Sequence, residues 1–107
     1  MTLLATFIGV VIIYYFGTLS LYEPTDELHS FPVPRNAKLI ENNELGARYH
    51  WSRASEENGI PFSYEIVLKS NGWVKGDREG ASVIYTKGKH KIDLISTTDQ
   101  LDIIKIK

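Results

Sequence analysis

Three histidines, His29, His50 and His90, are the side chains in this chain best suited to proton transfer or metal ligation. No two of them stand at a ligand spacing, and there is no cysteine to complete a site. A centre built from His50 and His90 with a neighbouring acid would require their two strands to adjoin; the expectation is instead that both are surface or half-buried residues. His29 falls in a proline-rich stretch and reads as a solvated loop residue. Carboxylates stand in pairs at Asp26-Glu27 and Glu56-Glu57. Acid–base catalysis by such a pair needs one member buried to raise its pKa, and neither segment has a buried pattern. No serine sits in a glycine-flanked elbow, and the glycines are scattered rather than gathered into a phosphate-cradling loop. The lack of cysteine also removes disulfides, thiol nucleophiles and the lipidated cysteine of a bacterial lipoprotein. The sequence therefore predicts no catalytic residue, no metal and no cofactor, hence a non-enzymatic protein.

Charge offers a different kind of site. Lys87, Lys89, His90 and Lys91, with Lys105 and Lys107 later, form a basic cluster. Such a cluster suits anionic lipid head groups or an anionic envelope polymer, at about 1 kcal/mol per charge near a membrane surface. The more ordinary reading is a lysine-rich hairpin that keeps a sheet edge soluble. The formal net charge of −1 argues against nucleic acid as the main partner. Tyr49, Trp51, Tyr64, Trp73 and Tyr85 could line a ligand groove, but their alternating and helical spacing in so small a domain reads as core.

The stretch that must carry all of this is the amino-terminal one. Residues 1–22 contain no Asp, Glu, Lys, Arg or His. From Leu3 to Tyr22 a helix of twenty residues would span roughly 30 Å, the thickness of a bilayer's hydrocarbon core. Eleven of the twenty are Leu, Ile, Val or Phe, together worth about −3 to −7 kcal/mol of insertion free energy. The sequence predicts a transmembrane anchor over residues 1–22, in contact with lipid through residues 3–22. It is long for a cleaved signal peptide and lacks the basic leading region, so an uncleaved anchor is the better reading, with cleavage at the passable triplet Thr18-Leu19-Ser20 as the alternative. Ala5, Gly9 and Gly17 share one i, i+4 stripe, which would allow close helix–helix contact and a weak homodimer. Tyr14, Tyr15, Phe16 and Tyr22 gather at the carboxyl end as an interfacial aromatic belt. Lys and Arg are lacking before the run, and the first after it is Arg35, so the flanks say little about orientation. Weak retention on the cytoplasmic side favours an extracytoplasmic domain.

Residues 23–36 hold three of the four prolines and read as a linker. A small α+β domain then fills residues 37–107. Ala37 to Glu41 and Ala47 to Ser52 are expected as antiparallel strands joined by a turn at Asn42 to Gly46. A helix starts near Ile60 with Pro61 in its first turn and buries Ile60, Tyr64, Val67 and Leu68. Asn71-Gly72 stops it, the glycine supplying a left-handed cap. A short extended stretch from Trp73 to Asp77 leads into strands at 81–86, 90–96 and 101–107. The order β-β-α-β-β-β gives an antiparallel sheet that only this helix can cover.

Pro32, Pro34, Ala37 and Leu39, then Tyr64 and Leu68, Gly72-Trp73, and Tyr85-x-Lys87-Gly88 form a pattern of structural motifs over residues 32 to about 96. In this the domain resembles small anchored or lipidated bacterial envelope domains. The resemblance implies a helix-on-sheet fold at the cell envelope and carries no functional residue across; this chain has a helical anchor where lipidated members have a cysteine. The combined expectation is a single-pass cell-membrane protein displaying a module that binds a protein partner or envelope component. The alternative is a structural, stress or immunity protein that acts through its membrane helix.

Overall fold

The computed structural model describes residues 21–106. β1 (Tyr22–Thr25) and β2 (Phe31–Pro34) form a two-stranded antiparallel hairpin around a 3-10 turn at Asp26–Leu28. β3 (Lys38–Asn42) and β4 (Gly46–His50) follow, then α1 (Phe62–Ser70), and then β5 (Val74–Glu79), β6 (Ser82–Lys87), β7 (His90–Thr97) and β8 (Gln100–Ile106). The last six strands named form one antiparallel sheet in the order β3-β4-β8-β7-β6-β5. The chain is thus a small α+β domain with one α-helix among the described residues. It has one more strand after the helix than the sequence reading counted, because Val74–Glu79 completes an edge strand beside β6.

Alternation decides which residues enter the core. Tyr49 on β4, Tyr85 on β6, Ile92 and Leu94 on β7, and Leu101 and Ile103 on β8 all point to one face and are buried. The intervening Arg48, Ile84, Asp93, Asp102 and Ile104 form the opposite, open face. Polar pairing there is local: Arg48 Nε donates to Asp102 Oδ1 at 3.0 Å in an ion pair, and the Ser82 hydroxyl donates a hydrogen bond to Asp93. Gly46 allows β4 to lie tightly on β8, since a Cβ there would land on the Ile103 carbonyl oxygen.

The covered face has two covers, not one. α1 supplies Tyr64, Val67 and Leu68. It starts at Phe62 because Pro61 keeps an extended ψ of 151° and so caps the helix instead of entering its first turn. At its other end Gly72, with φ +88°, makes the left-handed step, and Trp73 N–H donates to the Leu68 carbonyl at 3.0 Å in a Schellman closure. Ser55, Glu56 and Glu57 do not begin a helix: they form a turn closed by reciprocal Ser55–Gly59 backbone bonds.

The second cover corrects the expected linker over 23–36. Tyr22, Leu28, Phe31 and Val33 are core residues, and the β1–β2 hairpin is pinned to the rest by three side-chain bonds. Tyr64 Oη donates to the Pro32 carbonyl at 2.6 Å, Trp51 Nε1 donates to Asn36 Oδ1 at 3.0 Å, and Tyr22 Oη lies 3.1 Å from Ser63 Oγ. Tyr22 also stacks on Tyr64 with ring centres 4.7 Å apart, while Trp51 meets both rings edge-on. Such aromatic pairs are worth about 0.5–1.5 kcal/mol each beyond the area they bury. Tyr22 is therefore a core residue and no part of a membrane-interface belt. Leu21 is tied as well, its carbonyl accepting the Arg35 N–H at 2.9 Å. The transmembrane anchor expected over residues 1–22 is thereby shortened to the apolar run Leu3 to Ser20. It lies outside the described residues, among which no helix is long and apolar enough to cross a membrane.

Removing the Tyr64 hydroxyl leaves a buried carbonyl without its donor. Tyr64→Phe is expected to lower unfolding free energy by about 1–3 kcal/mol in urea titrations. Phe62→Ala, at a 73% exposed position at the start of the same helix, is expected to stay within about 0.5 kcal/mol of the parent.

Candidate functional site

The side chains first considered for chemistry are kept apart by the sheet. His50 lies on the open face, in register with Lys38 and Gln100. His90 lies beside Lys87 at the opposite end of β7, in the file of residues that includes Ile92 and Leu94. β8 separates their strands, and the expected condition for a joint His50–His90 site fails. Among the described residues no group of three His, Asp or Glu is placed to hold a metal ion. Asp26, Glu27, Glu56 and Glu57 are all exposed on turns. Tyr49, Trp51, Tyr64, Trp73 and Tyr85 are buried core residues, as their spacing implies. Burial raises the pKa of the Tyr64 hydroxyl well above the ordinary tyrosine value, and that of Tyr85 strongly too, with Glu65 adding to the latter. Both remain protonated donors.

His29 is not a solitary loop residue. Its ring stacks on His90 with centres 3.9 Å apart and planes 18° from parallel. His29 and Ser30 both take left-handed backbone angles, φ 57° and 64°, which swing the β1–β2 turn down over the end of the sheet. The signal for this in the sequence is faint: His and Ser between two apolar strands can take such angles, but nothing local names the partner. Desolvation lowers the His29 pKa, and the charges of His90 and Lys105 lower it further.

The basic cluster is divided by the same alternation. Lys87 and His90 pair across the β6–β7 turn, and Lys105 pairs with Ile92 on that side of the sheet. Lys91 pairs with Thr86 and Ile106 on the open face, and Lys89 occupies the turn. Lys107, Ala5, Gly9 and Gly17 lie outside the described residues.

Sequence reasoning missed a lysine-edged apolar groove between α1 and the edge strand β5. It has a volume of about 520 Å³, with Phe62, Ile66, Trp73, Val74 and Tyr85 among its walls. Phe62 is 73% and Val74 68% exposed, so its apolar lip is open to the surroundings. Lys69 and Lys75 stand on its rim. Lys75 Nζ reaches Glu65 Oε1 across it at 2.6 Å. At the Gly72 end Lys87 lays its aliphatic stem over the bare backbone, where a Cβ would come within 3.3 Å of Lys87 Cε. Trp73 is buried, and its indole N–H has no hydrogen-bond partner among the described residues. The groove escaped notice because Phe62 and Val74 each sit at a helix or strand start, where one apolar residue carries no period. Chemically the groove offers apolar contact bordered by the Lys69 ammonium group and the Lys75–Glu65 ion pair.

No protein-family model matches the chain, and no curated protein or solved structure matches it either.

The His29–His90 stack has a pH consequence with a definite sign. The folded-state pKa of His29 is depressed, so below ~6.5 the unfolded chain binds more protons than the folded one, and stability falls as the medium is acidified. The urea midpoint is expected to drop between pH 7 and pH 5. In His29→Asn, which tolerates the left-handed backbone, that drop is expected to be smaller. An identical pH profile in parent and variant would show that the stack carries no linkage.

Proposed function

We propose that the protein is a single-pass membrane-anchored, non-enzymatic module, displayed at the outer face of a bacterial membrane, where it binds a protein partner or an envelope component. The observation that carries this reading is the uncharged run of residues 1–20 leading straight into a small folded domain at Tyr22. Supporting it, buried polar side chains such as Tyr64 and Trp51 are used to fix the domain's own covers, and its exposed features include a lysine-edged groove and a basic hairpin end. The pattern shared with small envelope domains points the same way. Gly72-Trp73, Tyr64-Leu68 and the Lys87-Gly88 turn hold structural places in the fold: a helix stop, a core face and a hairpin.

Full-length protein expressed in bacterial cells is expected to stay with the membrane through alkaline carbonate washing. In intact cells the domain is expected to be open to added protease. Release of the chain into the aqueous fraction with its amino terminus intact would overturn the anchored reading. Protection from protease until the membrane is breached would overturn the outward orientation.

A further inference from the structure

The apolar run and the folded domain meet without slack. Tyr22 is held by its stack on Tyr64 and its bond to Ser63, and Leu21 by the Arg35 amide. Ser20 is the only residue between the run Leu3–Leu19 and this fixed point. Two residues reach at most ~7 Å when extended, while the head-group layer on each side of a bilayer is roughly 5–8 Å thick. If residues 3–20 span the membrane, Tyr22 cannot leave the head-group layer, and the part of the domain beside it must touch lipid. What stands beside it is specific. Ser63, the hydrogen-bond partner of Tyr22, follows Phe62, which is 73% exposed at the amino end of α1. Leu21, immediately before Tyr22, is 54% exposed. Phe62 in turn forms one lip of the apolar groove, with Val74 on the β5 side and Lys69 and Lys75 on the rim.

We propose that the domain does not swing free on its anchor but lies on the bilayer, with Leu21, Phe62 and the Phe62–Val74 groove seated in the lipid interface and Lys69 against phospholipid phosphates, while Lys75 stays paired with Glu65 on the groove wall. The occupant of the groove is phospholipid: acyl chain against Phe62, Ile66 and Val74, phosphate diester at the rim. Apolar residues that would be a liability in water are matched here to a medium that the anchor holds against them, and the Lys69 stem is long enough to lie along the apolar wall while its ammonium group reaches phosphate. The β1–β2 hairpin transmits the constraint, because it joins the entry point rigidly to α1. This rests on the anchored reading of residues 3–20, and the test separates the two.

Because the chain has no cysteine, single nitroxide labels can be placed at F62C, V74C and, as a control on the open face at the far sheet edge, K38C. Full-length protein is reconstituted in vesicles of phosphatidylcholine and phosphatidylglycerol, and each label is read by collision with oxygen, which concentrates in lipid, and with a water-soluble nickel chelate. Unchanged urea midpoints establish that the labelled chains are folded. Labels at 62 and 74 are expected to favour oxygen over nickel, and the label at 38 nickel over oxygen, inverting the ratio. Equal, water-like ratios at all three sites in protein that resists carbonate extraction would overturn the seating while leaving the anchor intact. Shielding of 62 and 74 from both reagents would also overturn it, since protein (residues 1–20 or a second copy) would then fill the groove. Extraction by carbonate would remove the anchor and the inference together.

Discussion

The Tyr64 hydroxyl bonded to the Pro32 carbonyl is the contact on which the rest of this fold depends. Proline at 32 can offer the ladder only a carbonyl, and that carbonyl is taken by a tyrosine buried from solvent. Tyr64 carries Tyr22 on its face and Trp51 at its edge, so one side chain of α1 joins the first strand, the second strand and the loop after β4. An 85-residue domain with one short helix has little apolar area to spare. Recruiting the β1–β2 hairpin as a second cover supplies Tyr22, Leu28, Phe31 and Val33 to a core that α1 alone would leave open.

That arrangement changes what the amino-terminal run is attached to. A proline-rich stretch after an apolar segment suggests a tether; here it is a packed layer. The stretch between the end of the apolar run and the packed layer shrinks to one or two residues. Leu21, next to Tyr22, and Phe62, next to the Tyr22 partner Ser63, are both exposed. Elsewhere the same economy shows in how loops are held. Ser96, buried on β7, donates to the Ser55 carbonyl at 2.9 Å and accepts the Ser55 amide at 3.1 Å, while Arg78 reaches the carbonyls of Glu56 and Gly80 from the edge strand. Polar side chains that could have served chemistry serve closure.

Much of the sheet was legible in the sequence, for a physical reason. Ala47, Tyr49 and Trp51 alternate with polar residues, as do Ile92 and Leu94, and a half-buried strand writes that period directly into the chain. The helix stop at Asn71-Gly72 was equally plain, since only glycine takes φ +88° at little cost. The β1–β2 hairpin was not legible. Phe31-Pro32-Val33-Pro34 is buried at every position and has no period, and its prolines argue for extended chain without saying against what. The His29–His90 stack and the α1–β5 groove failed for a related reason: both join residues far apart in the chain through tertiary packing, and no local spacing encodes them.

The claim that residues 22–36 belong to the folded unit is tested most directly by native-state hydrogen exchange on the full-length protein. The Arg35 amide, bonded to the Leu21 carbonyl, and the Ser30 amide, bonded to that of Thr25, are expected to exchange in the same slow cooperative unit as the amides of β7 and β8. Exchange of Arg35 and Ser30 at the rate of an unstructured chain, with β7 and β8 still protected, would contradict it and return the stretch to a tether.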